Sequence, residues 1–339
     1  MINSKLLVSG AEFLADDFEI NPYYTKESID LKKACREHAE IVNCFKKAGI
    51  SIVKVDAPIN CQDGVYTANW ALVKDGVAVM SRLPEARRAE EPYARKTLEN
   101  LGIKCLEVPE NYLFSGQGDS LRAGDCLFAG SGYRSDPAAQ AFAATKLGLN
   151  LVQLHTKPEL NPDGTIHINP VTNHADSLFY DLDLALSVID EHTIAYCPDA
   201  FDDDSNAKLE HLANFDKIIV SYEECVSGFA CNLVSTGKHV VMSSRAPLLQ
   251  RELESRGLFC FTPEITELKK GGGYIRCVSL WLSWRPFLEP FLSHRARNSY
   301  VRRLRVQSFF RFPSPKTAPY RPSSPSRKPP KSHLAGLKS

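Results

Sequence analysis

The stretch KGGGYIRC, residues 270–277, gives the strongest indication of the fold in this 339-residue chain, and it ends in Cys277. Its three glycines have no Cβ, so their backbone can approach other groups closely. A cysteine taken at random is more often a small buried hydrophobe than a nucleophile. Its place at the end of a glycine-rich run nevertheless makes Cys277 the best catalytic candidate in the chain.

Charge divides the chain into two unlike parts. Residues 281–339 contain 13 Lys and Arg against one acid, whereas residues 1–280 contain 28 basic and 39 acidic residues. The basic part is rich in Ser-Pro and Arg/Lys-Pro pairs and has too little apolar surface to offset its ordering entropy. We therefore expect a catalytic domain over 1–285 and a disordered tail over 286–339.

A genuine extension and an altered reading frame would both produce this tail. Its charge would attract nucleic acid or an anionic membrane, but no aromatic-basic recognition motif accompanies it, so we expect no specific nucleic-acid partner. No stretch approaches 18 uninterrupted apolar residues, and the first 17 residues lack the order of a signal peptide. A membrane span is not expected.

Ten cysteines lie at irregular spacings without a CxxC pair. This pattern is typical of a reduced cytoplasmic protein rather than of a disulfide or zinc framework. The histidines do not approach each other or the cysteines at ligand spacings, so we expect no metal and no cofactor. The oligomeric state stays open, a homo-oligomer included.

Short β-rich runs alternate with periodic charged segments through residues 1–280, which predicts an α/β fold. The Lys74-Asp75-Gly76 turn predicts a hairpin, so antiparallel pairs accompany the crossovers. Strands are expected at Leu6–Ser9, Ser51–Val55, Ile103–Val108, Asn150–Leu154, Thr193–Cys197, Lys217–Tyr222, His239–Ser243 and Leu258–Phe261, and helical segments within Lys26–Ala48, Pro84–Leu101, Pro137–Leu147, Asp203–Ala213 and Ala246–Arg256.

Polar clusters interrupt this pattern at strand ends, where functional groups usually lie. Each cluster alone is weak, because Gly-Asp and Arg-Asp pairs are common in turns. Their order along the chain is specific. The clusters are INPYY (20–24), QDGVYTANW (62–70), SRLPEARRAEEP (81–92), FSGQGD (114–119), GSGYRSD (130–136), FYDLD (179–183) and GGGYIRC (271–277).

This order resembles the guanidino-group modifying enzymes of the pentein superfamily over roughly residues 5–280, and most closely their dimethylarginine dimethylaminohydrolase branch. The resemblance implies an α/β propeller of about five ββαβ-like units around a central polar channel. It implies hydrolysis of a carbon–nitrogen bond in dimethylarginine, arginine or a similar guanidino amino acid. A catalytically silent member that binds a guanidino ligand or a protein partner, and an amidinotransferase, are the alternatives.

The resemblance also assigns the catalytic groups. A guanidinium is a planar cation, so a site must hold it with carboxylates while a thiolate attacks its central carbon. Cys277 stands at the family's nucleophile position, and Asp119 and Asp63 stand at the positions of the acids that hold the cation. Without the motif order, both aspartates would be taken for solvated turn residues.

Four further residues match positions that bind the substrate. Arg82 and Arg134 correspond to arginines that hold the α-carboxylate with a bidentate fork, and Asn21 is a candidate for the amino-acid end. Asn69 stands where dimethylarginine enzymes tend to have an acid, and a neutral amide binds a cation less strongly than an acid does. The identity of the substrate is therefore open.

Asp181 stands where the family has a histidine that acts as general acid and base. Free aspartate titrates near pH 4, so Asp181 would need burial or a neighbouring carboxylate to donate protons near neutral pH. Three interpretations follow: Asp181 is a tuned acid and base, His174 has taken the role, or the protein is slow or inactive.

Overall fold

The strands of the structure are short and the helices lie between them. The structure is a computed structural model that describes residues 2–24 and 28–283. The strands are β1 (Lys5–Val8), β2 (Ser51–Lys54), β3 (Ala71–Lys74), β4 (Val77–Met80), β5 (Lys104–Leu106), β6 (Ser120–Ala123), β7 (Cys126–Ser131), β8 (Asn150–His155), β9 (Leu186–Val188), β10 (Thr193–Tyr196), β11 (Asp216–Ile219), β12 (Val234–Ser235), β13 (His239–Val241), β14 (Phe259–Phe261) and β15 (Leu280–Trp281). The α-helices are α1 (Leu31–Lys47), α2 (Glu90–Asn100), α3 (Gly116–Asp119), α4 (Pro137–Leu147), α5 (Asp203–Glu210), α6 (Tyr222–Gly228) and α7 (Pro247–Ser255).

One plan recurs in five three-stranded sheets within the described residues. The middle strand pairs antiparallel with one neighbour and parallel with the strand that follows it in sequence, and a helix makes the parallel crossover. The units are β3-β4-α2-β5, β6-β7-α4-β8, β9-β10-α5-β11, β12-β13-α7-β14 and β15-β1-α1-β2. The predicted pentein-type fold of ββαβ-like units is confirmed.

The last of these units joins the two ends of the domain. Strand β15 pairs antiparallel with β1, with Leu6 opposite Trp281 and Leu7 opposite Leu280. Leu6, Leu7 and Leu280 are fully buried. Because β15 begins three residues after Cys277, this closure sets the position of the candidate nucleophile.

Helix α1 shows how a crossover helix helps to position the candidate nucleophile. Asp30 caps its N-terminus by accepting a hydrogen bond from Lys33 N, and Ala34, Ile41 and Phe45 form its fully buried face. The Glu37 carboxylate on this helix accepts hydrogen bonds from the backbone amides of residues 266–268. The helix therefore holds the chain just before the glycine-rich stretch.

The eight strands and five helices predicted from the sequence are all present, with their ends displaced by a few residues. The predicted hairpin is also confirmed: β3 and β4 are antiparallel, and Asp75 and Gly76 have positive φ angles of 49° and 79°. The sequence analysis missed β6, β7, β9, β12, β15, α3 and α6, most of which are too short to show a period.

The C-terminal tail and the boundary at residue 285 lie outside the described residues, so the prediction of a disordered segment over 286–339 stays a prediction. Within residues 2–24 and 28–283, no helix combines the length and apolarity needed to cross a membrane.

Candidate active site

The glycines before Cys277 are required by what packs against them. Gly272 has a φ of 83°, a left-handed conformation that glycine adopts without strain. A Cβ on Gly272 would collide with the Asn21 side chain, and a Cβ on Gly273 would collide with the Tyr66 ring. The Asn21 amide also donates to Gly271 O at 3.1 Å. Asn21 and Tyr66 thus fix the backbone that leads to the cysteine.

Cys277 is buried and its sulfur has polar neighbours. Its Sγ lies 3.1 Å from Asn232 Nδ2 and 3.5 Å from Asp183 Oδ2. Burial raises the pKa of the Cys277 thiol well above its usual value, and the charges of Asp183 and Asp181 raise it further. The resting sulfur is therefore a thiol, and a nearby cation would favour the nucleophilic thiolate.

Asp181 is fixed by donors from three directions. Its Oδ2 accepts a hydrogen bond from Asn69 Nδ2 at 2.9 Å, and its Oδ1 accepts one from Ser115 Oγ at 3.1 Å. Arg134 Nη1 lies 3.7 Å from Oδ2, while the Arg134 guanidinium stacks over the Tyr180 ring at 4.0 Å. Asp181 therefore holds Asn69 and Arg134 in place at the site.

Two further carboxyl groups are buried beside Asp181. Asp119, at the end of α3, accepts a hydrogen bond from Leu182 N at 3.0 Å. Burial raises the pKa of Asp119 well above its usual value, and the Asp181 charge adds to the rise. The pKa of Asp183 is raised by the same two causes in the same order. Both groups are suited to holding a proton near neutral pH.

Asp63 lies in a neighbouring ionic network centred on Arg87. The Arg87 guanidinium makes a bidentate pair with Glu90, at 2.7 and 2.8 Å, and its Nε lies 3.7 Å from Asp63 Oδ2. Tyr24 donates its hydroxyl hydrogen to Asp63 Oδ1. Burial raises the pKa of Asp63, which Arg87 partly offsets. This network presents a fixed carboxyl group to the site.

Arg87 also sets the orientation of Asn69. Arg87 Nη1 donates to Asn69 Oδ1 at 2.9 Å, so the amide NH₂ group must face Ser115 and Asp181. In this orientation Asn69 directs its N–H donors toward Ser115 and Asp181, and its acceptor oxygen is paired with the Arg87 guanidinium. An acid at this position would offer acceptor oxygens in place of these N–H donors.

The other predicted residues lie elsewhere. Arg82 Nη2 donates to Val108 O at 3.5 Å, and the Arg82 backbone pairs with Phe114. His174 is exposed on the segment 157–178, where its backbone amide donates to Thr172 Oγ1. The structure brings together Cys277, Asp119, Asp181, Asp63, Asn69 and Arg134, braced by Asn21, and places Arg82 and His174 apart from them.

Sequence reasoning missed four residues of this cluster. Asp183 had a signal, since it follows Asp181 by two positions in FYDLD, and Arg87 lies in the same SRLPEARRAEEP cluster as Arg82. Arg276 precedes the cysteine directly. Asn232, in the segment ACNLV, had no signal, because a single asparagine after a helix is common turn chemistry.

Acidic groups outnumber basic groups in this part of the described chain. Five buried carboxyl groups, Asp63, Glu90, Asp119, Asp181 and Asp183, face three buried guanidinium groups, Arg87, Arg134 and Arg276. Buried charge of one sign is costly unless it is neutralised. The cluster is therefore complementary to a planar organic cation that can pair with carboxylates.

Comparisons with known proteins find relatives that match most of the chain. The family model described as N,N dimethylarginine dimethylhydrolase, eukaryotic, matches residues 9–282. The N(G),N(G)-dimethylarginine dimethylaminohydrolase of Mycobacterium tuberculosis is 31% identical over 272 residues, which cover 79% of this chain and 82% of that protein.

Longer proteins match as well. The bifunctional arginine dihydrolase/ornithine cyclodeaminase AgrE of Nostoc sp. is 30% identical over 292 residues, which cover 84% of this chain and 38% of AgrE. Among solved structures, the N-terminal domain of ArgZ, in a variant covalently bound to a reaction intermediate, superposes with a TM-score of 0.74 at 26% identity, covering 83% of this chain and 98% of that chain.

Proposed function

Because this chain belongs to the family of N,N dimethylarginine dimethylhydrolases, we propose that it hydrolyses a carbon–nitrogen bond in the guanidino group of dimethylarginine, arginine or a similar amino acid. The observation that supports this most directly is the placing of a buried cysteine sulfur beside buried carboxyl groups. Cys277 Sγ lies 3.5 Å from Asp183, and Asp119 and Asp181 lie in the same acidic cluster.

Binding of the substrate compensates the acidic excess of the site. A guanidinium between Asp119 and Asp183 would pair with both carboxyl groups and favour their ionised forms. The same cation opposes the effect of these carboxylates on the Cys277 thiol and favours the thiolate. Substrate binding thereby prepares the nucleophile, and we assign to Arg134, which lies beside Asp181, the binding of the substrate carboxylate.

A single carboxyl group can carry the proton in both halves of the reaction. Cys277 gives its proton to Asp183, the thiolate forms a bond with the guanidinium carbon, and the carbon–nitrogen bond breaks as the amine leaves with that proton. Water then adds to the carbon, its proton passes through Asp183 to sulfur, and the carbon–sulfur bond breaks. We assign this proton transfer to Asp183 rather than Asp181, because Asp183 lies within 3.5 Å of the sulfur.

The experiment incubates the purified full-length protein with arginine, monomethylarginine and dimethylarginine. Citrulline with dimethylamine is expected if dimethylarginine is the substrate, and ornithine with ammonia if the protein is an arginine dihydrolase. Cys277→Ser should abolish turnover, with Cys44→Ser as the control at a buried cysteine on helix α1. Turnover that survives Cys277→Ser would rule out the thiolate mechanism.

A second candidate, a ligand-binding protein without turnover, is supported by Asp181. This carboxyl group is fixed by Asn69, Ser115 and Arg134, and it stands in place of the histidine that the family resemblance assigns as general acid and base. In that case arginine or dimethylarginine would raise the melting temperature without product formation, and Asp181→His would be the variant to test for gained turnover.

We place this reaction in a reducing compartment, the cytoplasm. All ten cysteines lie in the described part of the chain, and each of them is free. Free thiols in this number are typical of proteins kept reduced after synthesis.

A further inference from the structure

Asn232 lies directly behind the candidate nucleophile. It follows α6 by four residues and is fully buried. Its Oδ1 accepts hydrogen bonds from Arg276 N at 2.8 Å and from Cys277 N at 3.3 Å. Its Nδ2 donates to Cys277 Sγ at 3.1 Å and to Asp183 O at 3.4 Å.

These contacts determine the orientation of the amide. The oxygen faces two backbone N–H groups, which can only donate, so exchanging the two ends of the amide would place donor against donor. The NH₂ group must therefore face the sulfur. The Asn232 side chain therefore accepts a hydrogen bond from the backbone of Cys277 at one end and donates one to its Sγ at the other.

From this geometry, and resting on the proposed function, we propose that Asn232 is a further catalytic residue whose side-chain N–H stabilises the thiolate of Cys277. The bond would act twice, when the thiolate forms before attack and when the carbon–sulfur bond breaks. Hydrogen bonds to a charged acceptor are stronger than those to a neutral one, so the anion benefits more than the thiol.

A neutral donor suits this position better than a cation. The sulfur faces Asp183, whose charge opposes the thiolate. A lysine or arginine behind the sulfur would pair with the carboxylates and repel a guanidinium. An amide favours the anion without neutralising the acidic groups that a cationic substrate requires.

The test measures alkylation of Cys277 by iodoacetamide in the full-length protein, read by peptide mass spectrometry between pH 6 and 10. This reaction needs no turnover, so it reports on Asn232 even if no guanidino compound is hydrolysed. We expect Asn232→Ala to slow alkylation at pH 8 about tenfold, because below the midpoint a rise of one unit in the thiol pKa lowers the thiolate fraction by about that factor.

Two further variants separate the donor from the backbone contacts. Asn232→Asp keeps an oxygen for the amides of Arg276 and Cys277 but offers no N–H to the sulfur, and it should shift the profile upward as well. Asn206→Ala is the matched control, because the Asn206 amide donates to Pro198 O and Phe201 O and not to the sulfur. Its profile should match that of the wild type.

Three results would overturn the inference. Profiles of Asn232→Ala and Asn232→Asp that coincide with the wild-type profile would show that the N–H has no effect on the thiolate. A shift of the pH profile in Asn232→Ala but not in Asn232→Asp would show that Asn232 acts only through its hydrogen bonds to the backbone. A wild-type alkylation rate that does not change between pH 6 and 10 would show that the reacting sulfur is not a titrating thiolate.

Discussion

Asp119, Asp181 and Asp183 are three carboxyl groups that the fold buries side by side, and their burial has a cost in the unliganded protein. Burial raises the pKa of Asp119 and of Asp183, so the folded state binds their protons more tightly than the unfolded state does. The contribution of these two carboxyl groups to the free energy of unfolding is therefore most favourable below the unfolded pKa of about 4. It is lost as the pH rises toward their pKa in the folded state. At the scale of these residues, the burial that prepares the site for a cationic substrate lowers the stability of the unliganded protein.

Asp119→Asn should therefore stabilise the unliganded protein while impairing function. We expect the free energy of unfolding at pH 8 to rise by roughly 1–3 kcal/mol, which is a gain of about 2–4 °C in melting temperature per kcal/mol. The gain should be smaller at pH 5, where the wild-type carboxyl group is closer to its protonated form. Thermal melts at both pH values measure it.

Asp163→Asn is the control for this prediction. Asp163 is exposed in a turn, where Thr165 donates to it and lowers its pKa, so no stabilisation is expected. An Asp119→Asn variant that melts below the wild type at pH 8 would contradict the argument that burial of the charge is costly.

At the scale of elements, the crossover helix α1 and the segment 266–268 act together. Glu37 is mostly buried, and it is the partner of three backbone amides at the start of the short 3₁₀ helix Leu268–Gly271. Such amides would otherwise be left unsatisfied away from water. The helix thus determines where the glycine-rich stretch begins, and through it where Cys277 lies.

Removal of this anchor should loosen the approach to the nucleophile. We expect Glu37→Ala to cost about 2–3 kcal/mol in the free energy of unfolding, the usual range for hydrogen bonds to a charged group. Hydrogen exchange of residues 266–277 should be faster, while that of α4 should be unchanged. Urea denaturation and exchange mass spectrometry measure the two effects.

Glu40→Ala is the matched control on the same helix. Glu40 is exposed and lies 3.8 Å from Lys47 Nζ, a surface pair that contributes little. Equal exchange at 266–277 in Glu37→Ala and Glu40→Ala would show that the helix does not anchor this segment.

At the scale of the whole described unit, the pairing of the first strand with the last holds the two ends of the domain together. Leu280 and Leu7 face each other across β15 and β1 and belong to one buried cluster with Trp70 and Met80. This contact joins residues that are more than 270 positions apart. Contacts of such long range make folding slow, because loop closure must precede the gain from packing.

Leu280→Ala should weaken the whole unit rather than one part of it. We expect a loss of about 2–5 kcal/mol, as for other large buried side chains, with a single urea transition that moves to lower denaturant. Leu248→Ala, at a half-exposed position on α7, should change stability little. Two separate transitions in Leu280→Ala would show that the five units do not unfold together.

The sequence by itself determined the α/β class, the alternation of strands and helices, the hairpin at Lys74–Gly76 and the candidate nucleophile Cys277. These features depend on local periodicity, turn chemistry and the order of motifs, all of which can be read along the chain. The substrate and the general acid could not be read in this way. Its place in the motif makes Asp181 the predicted substitute for a histidine.

Only the tertiary structure decided which polar side chains meet. It placed Asp183 and Asn232 against the sulfur, selected Arg87 over Arg82 for the buried network, and oriented the amide of Asn69. Partners of this kind come from different units, and their contacts depend on closure of the chain and on burial. Burial then sets the pKa of Cys277, Asp119 and Asp183, which no local pattern encodes.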